Sequence, residues 1–136
     1  MTDETAPSAD LSGTKILVIE DEFYLAMDIK EALERAGGQV RGPFADAGDG
    51  LAELERERPD CAIVDINLGN GPSFEIAEEL QRWGVPFLFL TGYDAPAIPP
   101  GLADIERLEK PADSGTVVEA VARLTSVGEA SGGLPA

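Results

Sequence analysis

A chain of 136 residues with 43% apolar side chains has room for one compact domain and enough hydrophobic mass for a core. Its formal net charge of −16 repels nucleic acid, and the absence of histidine removes the usual zinc ligand and general base, which argues against hydrolytic triads and zinc chemistry. Met1-Thr2-Asp3-Glu4-Thr5 is polar and acidic, unlike a signal peptide, and no apolar run approaches membrane-spanning length, so a soluble cytoplasmic protein with no membrane or nucleic-acid partner is expected.

Residues 1–13 are rich in Asp, Ser, Thr, Ala and Gly without periodicity and read as a loose tail, as do residues 127–136. Between them, over 14–126, short apolar runs alternate with helical patterns, the signature of βα units and a parallel sheet. The first strand is Lys15–Ile19, apolar on both faces. A helix over about Phe23–Ala36 follows, with Ala26, Ile29 and Leu33 on one face and Gly37-Gly38 ending it. Gln39–Gly42 forms a short, weaker second strand, and a helix over about Ala47–Arg58 turns Leu51 and Leu54 inward behind an Asp46 cap.

Cys61–Val64 is the third strand, and the single Cys61 inside it is a small core residue with no partner for an internal disulfide. The loop 67–72 leads to a helix capped by Ser73 with an Ile76, Leu80, Trp83 stripe. Pro86–Leu90 is the fourth strand, Asp104–Leu108 the fifth, and a last helix over about Ser114–Thr125 buries Val117, Val121 and Leu124. Between the fourth and fifth strands, Pro96, Pro99 and Pro100 forbid a long regular helix, because each lacks an N–H and clashes with the preceding turn, so the fourth helix is expected to be short or distorted. The result is a doubly wound (βα)₅ sheet of five parallel strands, whose ligand site lies at the carboxyl ends of the strands.

Those ends carry the chemistry. The first strand runs into Glu20-Asp21-Glu22, the third into Asp65, the fourth into Thr91-Gly92 and the fifth into Glu109-Lys110-Pro111. Clustered carboxylates repel one another unless a cation sits among them, and oxygen ligands suit Mg²⁺. Asp65 is a nucleophile able to form an acyl phosphate, Thr91 offers a hydroxyl to a phosphoryl oxygen, and Lys110 brings a positive charge to the equatorial oxygens. Taken singly, each signal is common: a solvated acidic turn, a Thr-Gly turn, a Lys-Pro loop. Their joint occurrence in order, each on its own strand end, is the specific observation.

With these residues in view, the chain resembles the receiver domain of bacterial two-component response regulators over about residues 14–126. The resemblance is carried by Ile16-Leu17-Val18-Ile19-Glu20-Asp21-Glu22, Ile63-Val64-Asp65-Ile66-Asn67-Leu68, Phe89-Leu90-Thr91-Gly92-Tyr93 and Leu108-Glu109-Lys110-Pro111. It implies a flavodoxin-like strand order 2-1-3-4-5, with Asp65 as the phosphorylated residue. It also implies Mg²⁺ held directly by Asp21, through water by Glu20, by Asp65 and by the Asn67 backbone carbonyl. Thr91 and Lys110 take the places of the family's Thr/Ser and Lys.

Pro86–Tyr93 is similar to the motif of the FATGUY subgroup, single-domain receivers paired with HWE or HisKA2 kinases, with Leu90 where that name has Ala. One departure concerns the readout. Receivers usually carry an aromatic three residues before the Lys, and here that position is Arg107, which makes Tyr93 and Arg107 the switch candidates and the proline-broken segment 94–101 an alternative carrier of the signal.

Three rival readings meet the same residues. An EF-hand starting at Asp65 fails, since its sixth and twelfth positions are Asn70 and Ile76 rather than Gly and Glu. A Mg²⁺-dependent phosphatase of the haloacid dehalogenase type generally has a second Asp two residues beyond the nucleophile, where Asn67 stands. A non-phosphorylated adaptor keeping the fold alone is the third. The expectation is a stand-alone phosphorelay receiver that catalyses only its own phosphorylation and dephosphorylation and is no other enzyme. Its partners are a sensor histidine kinase and, downstream, a histidine phosphotransferase or regulator reached by protein contact. Phe23, Leu25 and Pro111, on the first helix and the loop after the fifth strand, are the candidate contact residues; a core role suits Phe23 and Leu25 equally.

Overall fold

The computed structural model describes residues 10–68, 71–72, 74–92 and 97–133, with side chains given except at 71–72 and 126–133. Five strands form one parallel sheet: β1 (Lys15–Ile19), β2 (Gln39–Phe44), β3 (Cys61–Asp65), β6 (Phe87–Thr91) and β7 (Arg107–Glu109), in the order β2-β1-β3-β6-β7. Counting only these five, the order is the expected 2-1-3-4-5 of a doubly wound sheet. A small antiparallel pair, β4 (Asn67–Leu68) with β5 (Gly71–Pro72), stands in the stretch read as a loop. The helices are α1 (Phe23–Arg35), α2 (Ala47–Arg56), α3 (Phe74–Arg82) and α4 (Ser114–Gly133).

Alternation along the strands divides the core between two layers. Ile16, Val18, Cys61, Ile63, Leu88 and Leu90 face α1 and α4 through Ile29, Leu33, Val117 and Val121. Leu17, Ile19, Ala62, Val64, Phe87 and Phe89 face α2 and α3 through Leu54, Ile76 and Leu80. Helices on both faces leave every residue of β3 and β6 buried, which is why these strands read as unbroken apolar runs. Cys61 is free and buried, and burial first, then the neighbouring Asp60 charge, pushes its thiol up to about 12.

Local signals act where they were expected, with shifted ends. Asp46 caps α2, its Oδ1 accepting from the Asp49 N–H at 2.8 Å. α1 stops at Arg35, and Gly37 takes the left-handed conformation at φ +100°. β2 runs on to Phe44, past the expected Gly42, because Gly42 at φ +106° absorbs an irregularity in the β1–β2 register. A Cβ on Gly42 would sit 2.8 Å from both Phe44 N and Val18 O, so glycine is required there. Ser73, expected to cap α3, lies outside the described residues.

Two boundaries differ more. Leu11 is 1% exposed and packs with the α1/α4 core, and its N–H donates to Ala36 O at 2.8 Å, so ordered structure begins inside the stretch read as a tail. At the other end α4 stays helical to Gly133, beyond the expected Thr125.

Among the described residues of the connection between β6 and β7, one 3₁₀ turn, Pro100–Leu102, stands where a fourth helix would lie, with Pro99 before it. The core on that side is closed by side chains of the connection itself: Leu102 is 2% exposed, and Ile98 and Ile105 pack against the α2/α3 layer. Because Ile105 is committed to that packing, β7 starts at Arg107 and not at Asp104. Gln81 of α3 ties the turn down, its Nε2 donating to Gly101 O at 3.0 Å.

Candidate functional site

Parallel register brings the strand ends together. Ile19 pairs with Val64, Asp65 with Leu90, and Thr91 with Glu109, so the next residues out on β1 and β7 are Glu20 and Lys110. Glu20 is anchored by its N–H to Phe44 O at 2.9 Å, and Lys110 by its N–H to Thr91 O at 2.7 Å. The peptide bond between Lys110 and Pro111 is cis.

The side chains then converge. Glu20, Asp65 and Thr91 are the buried polar residues among those described, at 2%, 1% and 6% exposure. The Lys110 ammonium lies 3.1 Å from Asp65 Oδ2 and 3.2 Å from each Glu20 oxygen. Asp65 Oδ1 accepts from the Asn67 N–H at 3.1 Å, and Glu20 Oε2 from the Glu22 N–H at 2.9 Å. Asp21 stays exposed, yet one carboxylate oxygen from each of Glu20, Asp21 and Asp65 falls within 4.8 Å of the others.

Burial perturbs these groups. Loss of hydration lifts the Glu20 carboxyl to about 7; the Asp65 charge adds to the rise, while the Glu22 N–H and Lys110 oppose it. Asp65 is raised as well, by burial, against the pull of Lys110 and the Asn67 N–H. Burial also works against the Lys110 charge, but the hydrogen bond to Asp65 and the charges of both acids outweigh it, and its pKa is raised above the ordinary lysine value. Three acids around one ammonium leave an excess of negative charge, the condition under which a divalent cation is attracted.

Of the expected residues, Glu20, Asp21, Asp65, Asn67 and Lys110 thus meet at one point, with Thr91 buried on the neighbouring strand end. Arg107 does not join them: it is exposed at the start of β7, opposite Phe89. Tyr93 lies outside the described residues. The backbone N–H of Glu22, which fixes Glu20 Oε2, was not anticipated, since a main-chain donor leaves no side-chain signal. Phe23 and Tyr24 open α1 beside the acids and are the exposed large apolar residues among those described, their rings edge-to-face at 5.3 Å. Leu25, by contrast, packs against the α1/α4 core, and Pro111 is exposed.

The chain is similar to proteins already known. The family model of the response regulator receiver domain matches residues 16–122. The chain is 33% identical over 109 residues to the sensory transduction protein LytT of Bacillus cereus, covering 77% of this chain and 44% of that protein. It is 34% identical over 89 residues to the phyllosphere-induced regulator PhyR of Methylorubrum extorquens, covering 63% of this chain and 33% of that protein. It therefore spans less than half the length of these two relatives. The solution structure of SdrG from Sphingomonas melonis Fr1 superposes with a TM-score of 0.72 at 34% identity, covering 82% of this chain and 95% of that one. The response regulator PhyR from Brucella abortus superposes with a TM-score of 0.75 at 26% identity, covering 91% and 52%. Receiver domains serve phosphorelay signalling, generally bind Mg²⁺ and interact with histidine kinases. No helix among the described residues is long and apolar enough to cross a membrane. By sequence and by fold, the chain belongs to the response regulator receiver domain family.

Proposed function

We propose that this receiver takes a phosphoryl group onto Asp65 from the phosphohistidine of a sensor histidine kinase, with Mg²⁺ in the acidic cluster. The observation that carries the reading is the position of Asp65: a buried strand-end carboxylate with an ammonium at 3.1 Å and two further acids in reach. The donor set fits a hard cation. It is all oxygen, it carries more negative charge than Lys110 neutralises, and the buried Glu20 Oε1, although 3.2 Å from the ammonium, accepts no hydrogen bond. Asp21, Asp65 and the Asn67 carbonyl would hold the ion, with Glu20 behind them; when bound, it offsets negative charge on the phosphoryl oxygens.

In the transfer, an Asp65 carboxylate oxygen forms a bond to phosphorus as the phosphorus–nitrogen bond of the donor breaks, leaving the electron pair on the imidazole nitrogen. Lys110 meets charge on the equatorial oxygens, and the Thr91 hydroxyl donates to one of them. The donor histidine lies outside the 136 residues of this sequence, which contain none. The protein would then act as an enzyme only on its own acyl phosphate, and its output would be a protein contact. The exposed Phe23 and Pro111, flanking the acids, are where a kinase or downstream regulator would touch.

Acetyl phosphate with Mg²⁺ tests this. Wild type should take up one phosphoryl group by intact mass, and Asp65→Asn none. Equal labelling of both would overturn the assignment. No response of either protein to acetyl phosphate or beryllofluoride would favour an adaptor, and continued turnover of a phosphate ester a phosphatase.

A further inference from the structure

The Glu20 side chain has 0% exposure although it directly follows a strand and precedes the exposed Asp21. Both of its oxygens lie 3.2 Å from the Lys110 ammonium, Oε2 as hydrogen-bond acceptor and Oε1 at ion-pair distance, and Oε2 also accepts from the Glu22 N–H. Asp65 meets the same ammonium through Oδ2, while its Oδ1 accepts from the Asn67 N–H. Lys110 is therefore shared by two buried carboxylates from different strands, and their fates differ during phosphorylation. Asp65 loses a charged oxygen when the acyl phosphate forms. Glu20 is chemically unchanged.

We propose that Glu20 is a positioning residue that tethers the Lys110 ammonium at the site, so that the cation stays aimed at the phosphoryl group when its contact with Asp65 is weakened. A lysine needs such a tether, since its ammonium is a point charge on a flexible four-carbon stem with no preferred direction of contact. Glutamate suits the task better than aspartate because its extra methylene carries the carboxylate from the end of β1 across to Lys110, beyond the start of the acidic run. This role is separate from metal ligation, and it rests on the reading of Asp65 as the acceptor and Lys110 as a phosphoryl contact.

The full chain with isotopically labelled lysine allows a direct test. The Lys110 NH₃⁺ signal, assigned by its loss in Lys110→Met, is followed by NMR with and without Mg²⁺ plus beryllofluoride. In wild type it should stay protected from water exchange in both states, and in Asp65→Asn it should persist because Glu20 still holds it. In Glu20→Gln its exchange should speed up on the order of tenfold, the loss expected for one charge-assisted contact. Glu20→Asp, which keeps the charge but shortens the reach, should do nearly the same; it also serves if Glu20→Gln fails to give a folded amide spectrum. A Lys110 signal unchanged in both Glu20 variants, or lost in Asp65→Asn alone, would overturn the proposal. If Mg²⁺ and beryllofluoride leave the amides of 65–67 unmoved in wild type, the acceptor reading falls instead, and the comparison in the free protein still decides the tether.

Discussion

The backbone N–H of Lys110 donates to the carbonyl of Thr91 at 2.7 Å, which locks the ammonium-bearing residue of β7 to the hydroxyl-bearing residue of β6. The two residues that would meet the phosphoryl oxygens are thus held in place by main-chain pairing, independently of the contacts the Lys110 ammonium makes with Glu20 and Asp65. Substituting either side chain should therefore disturb chemistry far more than fold. Lys110→Ala should slow phosphorylation by acetyl phosphate on the order of a hundredfold, as removal of one preorganised donor to a developing charge does elsewhere. The check is the labelling rate by intact mass against an unchanged circular dichroism spectrum; a rate within twofold of wild type would remove Lys110 from the site.

The raised carboxyls make metal-free stability depend on pH in a defined direction. Glu20 titrates near 7 when folded against an ordinary 4.5, so between those values the native state binds more protons than the unfolded one. Stability must then fall as pH rises from about 4.5 through 7, by on the order of 2–3 kcal/mol from Glu20, with Asp65 acting in the same sense. Urea titrations in EDTA should show this decline, and Glu20→Gln should flatten it. A wild-type stability that climbed over the same range would contradict the burial of these acids.

Magnesium should reverse that trend, because a cation favours the deprotonated cluster. The melting temperature at neutral pH should rise with Mg²⁺ concentration as binding to the native state requires. Asp21→Asn should weaken Mg²⁺ binding about tenfold, a loss of about 1.4 kcal/mol, as read by calorimetry. An unaltered affinity would mean that Asp21, for all its proximity to Asp65, is not a ligand.

The 3₁₀ turn substituting for a fourth helix should be a true part of the core. Leu102→Ala removes a side chain only 2% exposed and should cost about 2–4 kcal/mol in urea denaturation. A cost below about 0.5 kcal/mol, the level of ordinary surface changes, would show that the connection merely lies on the α2/α3 layer.

Arg41 offers a contrast between paired charges. It reaches Glu53 at 2.7 Å and the Glu57 carbonyl at 2.6 Å with its side chain 13% exposed, whereas Arg123 meets Glu106 with its side chain 58% exposed. Arg41→Ala should cost about 1–2 kcal/mol, since it leaves the Glu57 carbonyl without its guanidinium donor and Glu53 with Arg56 as its remaining cation, and Arg123→Ala less than about 1 kcal/mol. The ordering of the two midpoints in urea is the decisive reading.

By itself the sequence determined the five strands, the acids at their ends and the interruption by Pro96, Pro99 and Pro100. Each of these depends on local periodicity or on a backbone property of the residue itself. Asp46 as a cap and Cys61 as a core residue were legible for the same reason. Only the tertiary structure decided that Glu20 turns inward to share Lys110 with Asp65, that Asp21 beside it stays in water, and that Leu102 and Ile105 close the core in place of a helix. Those outcomes depend on which strand lies beside which and on how far a side chain reaches across the gap, distances set by sheet register and packing. So Asp65 and Lys110 were visible in the chain as strand-end partners, while the 3.1 Å between them and the buried glutamate sharing that ammonium came with the fold.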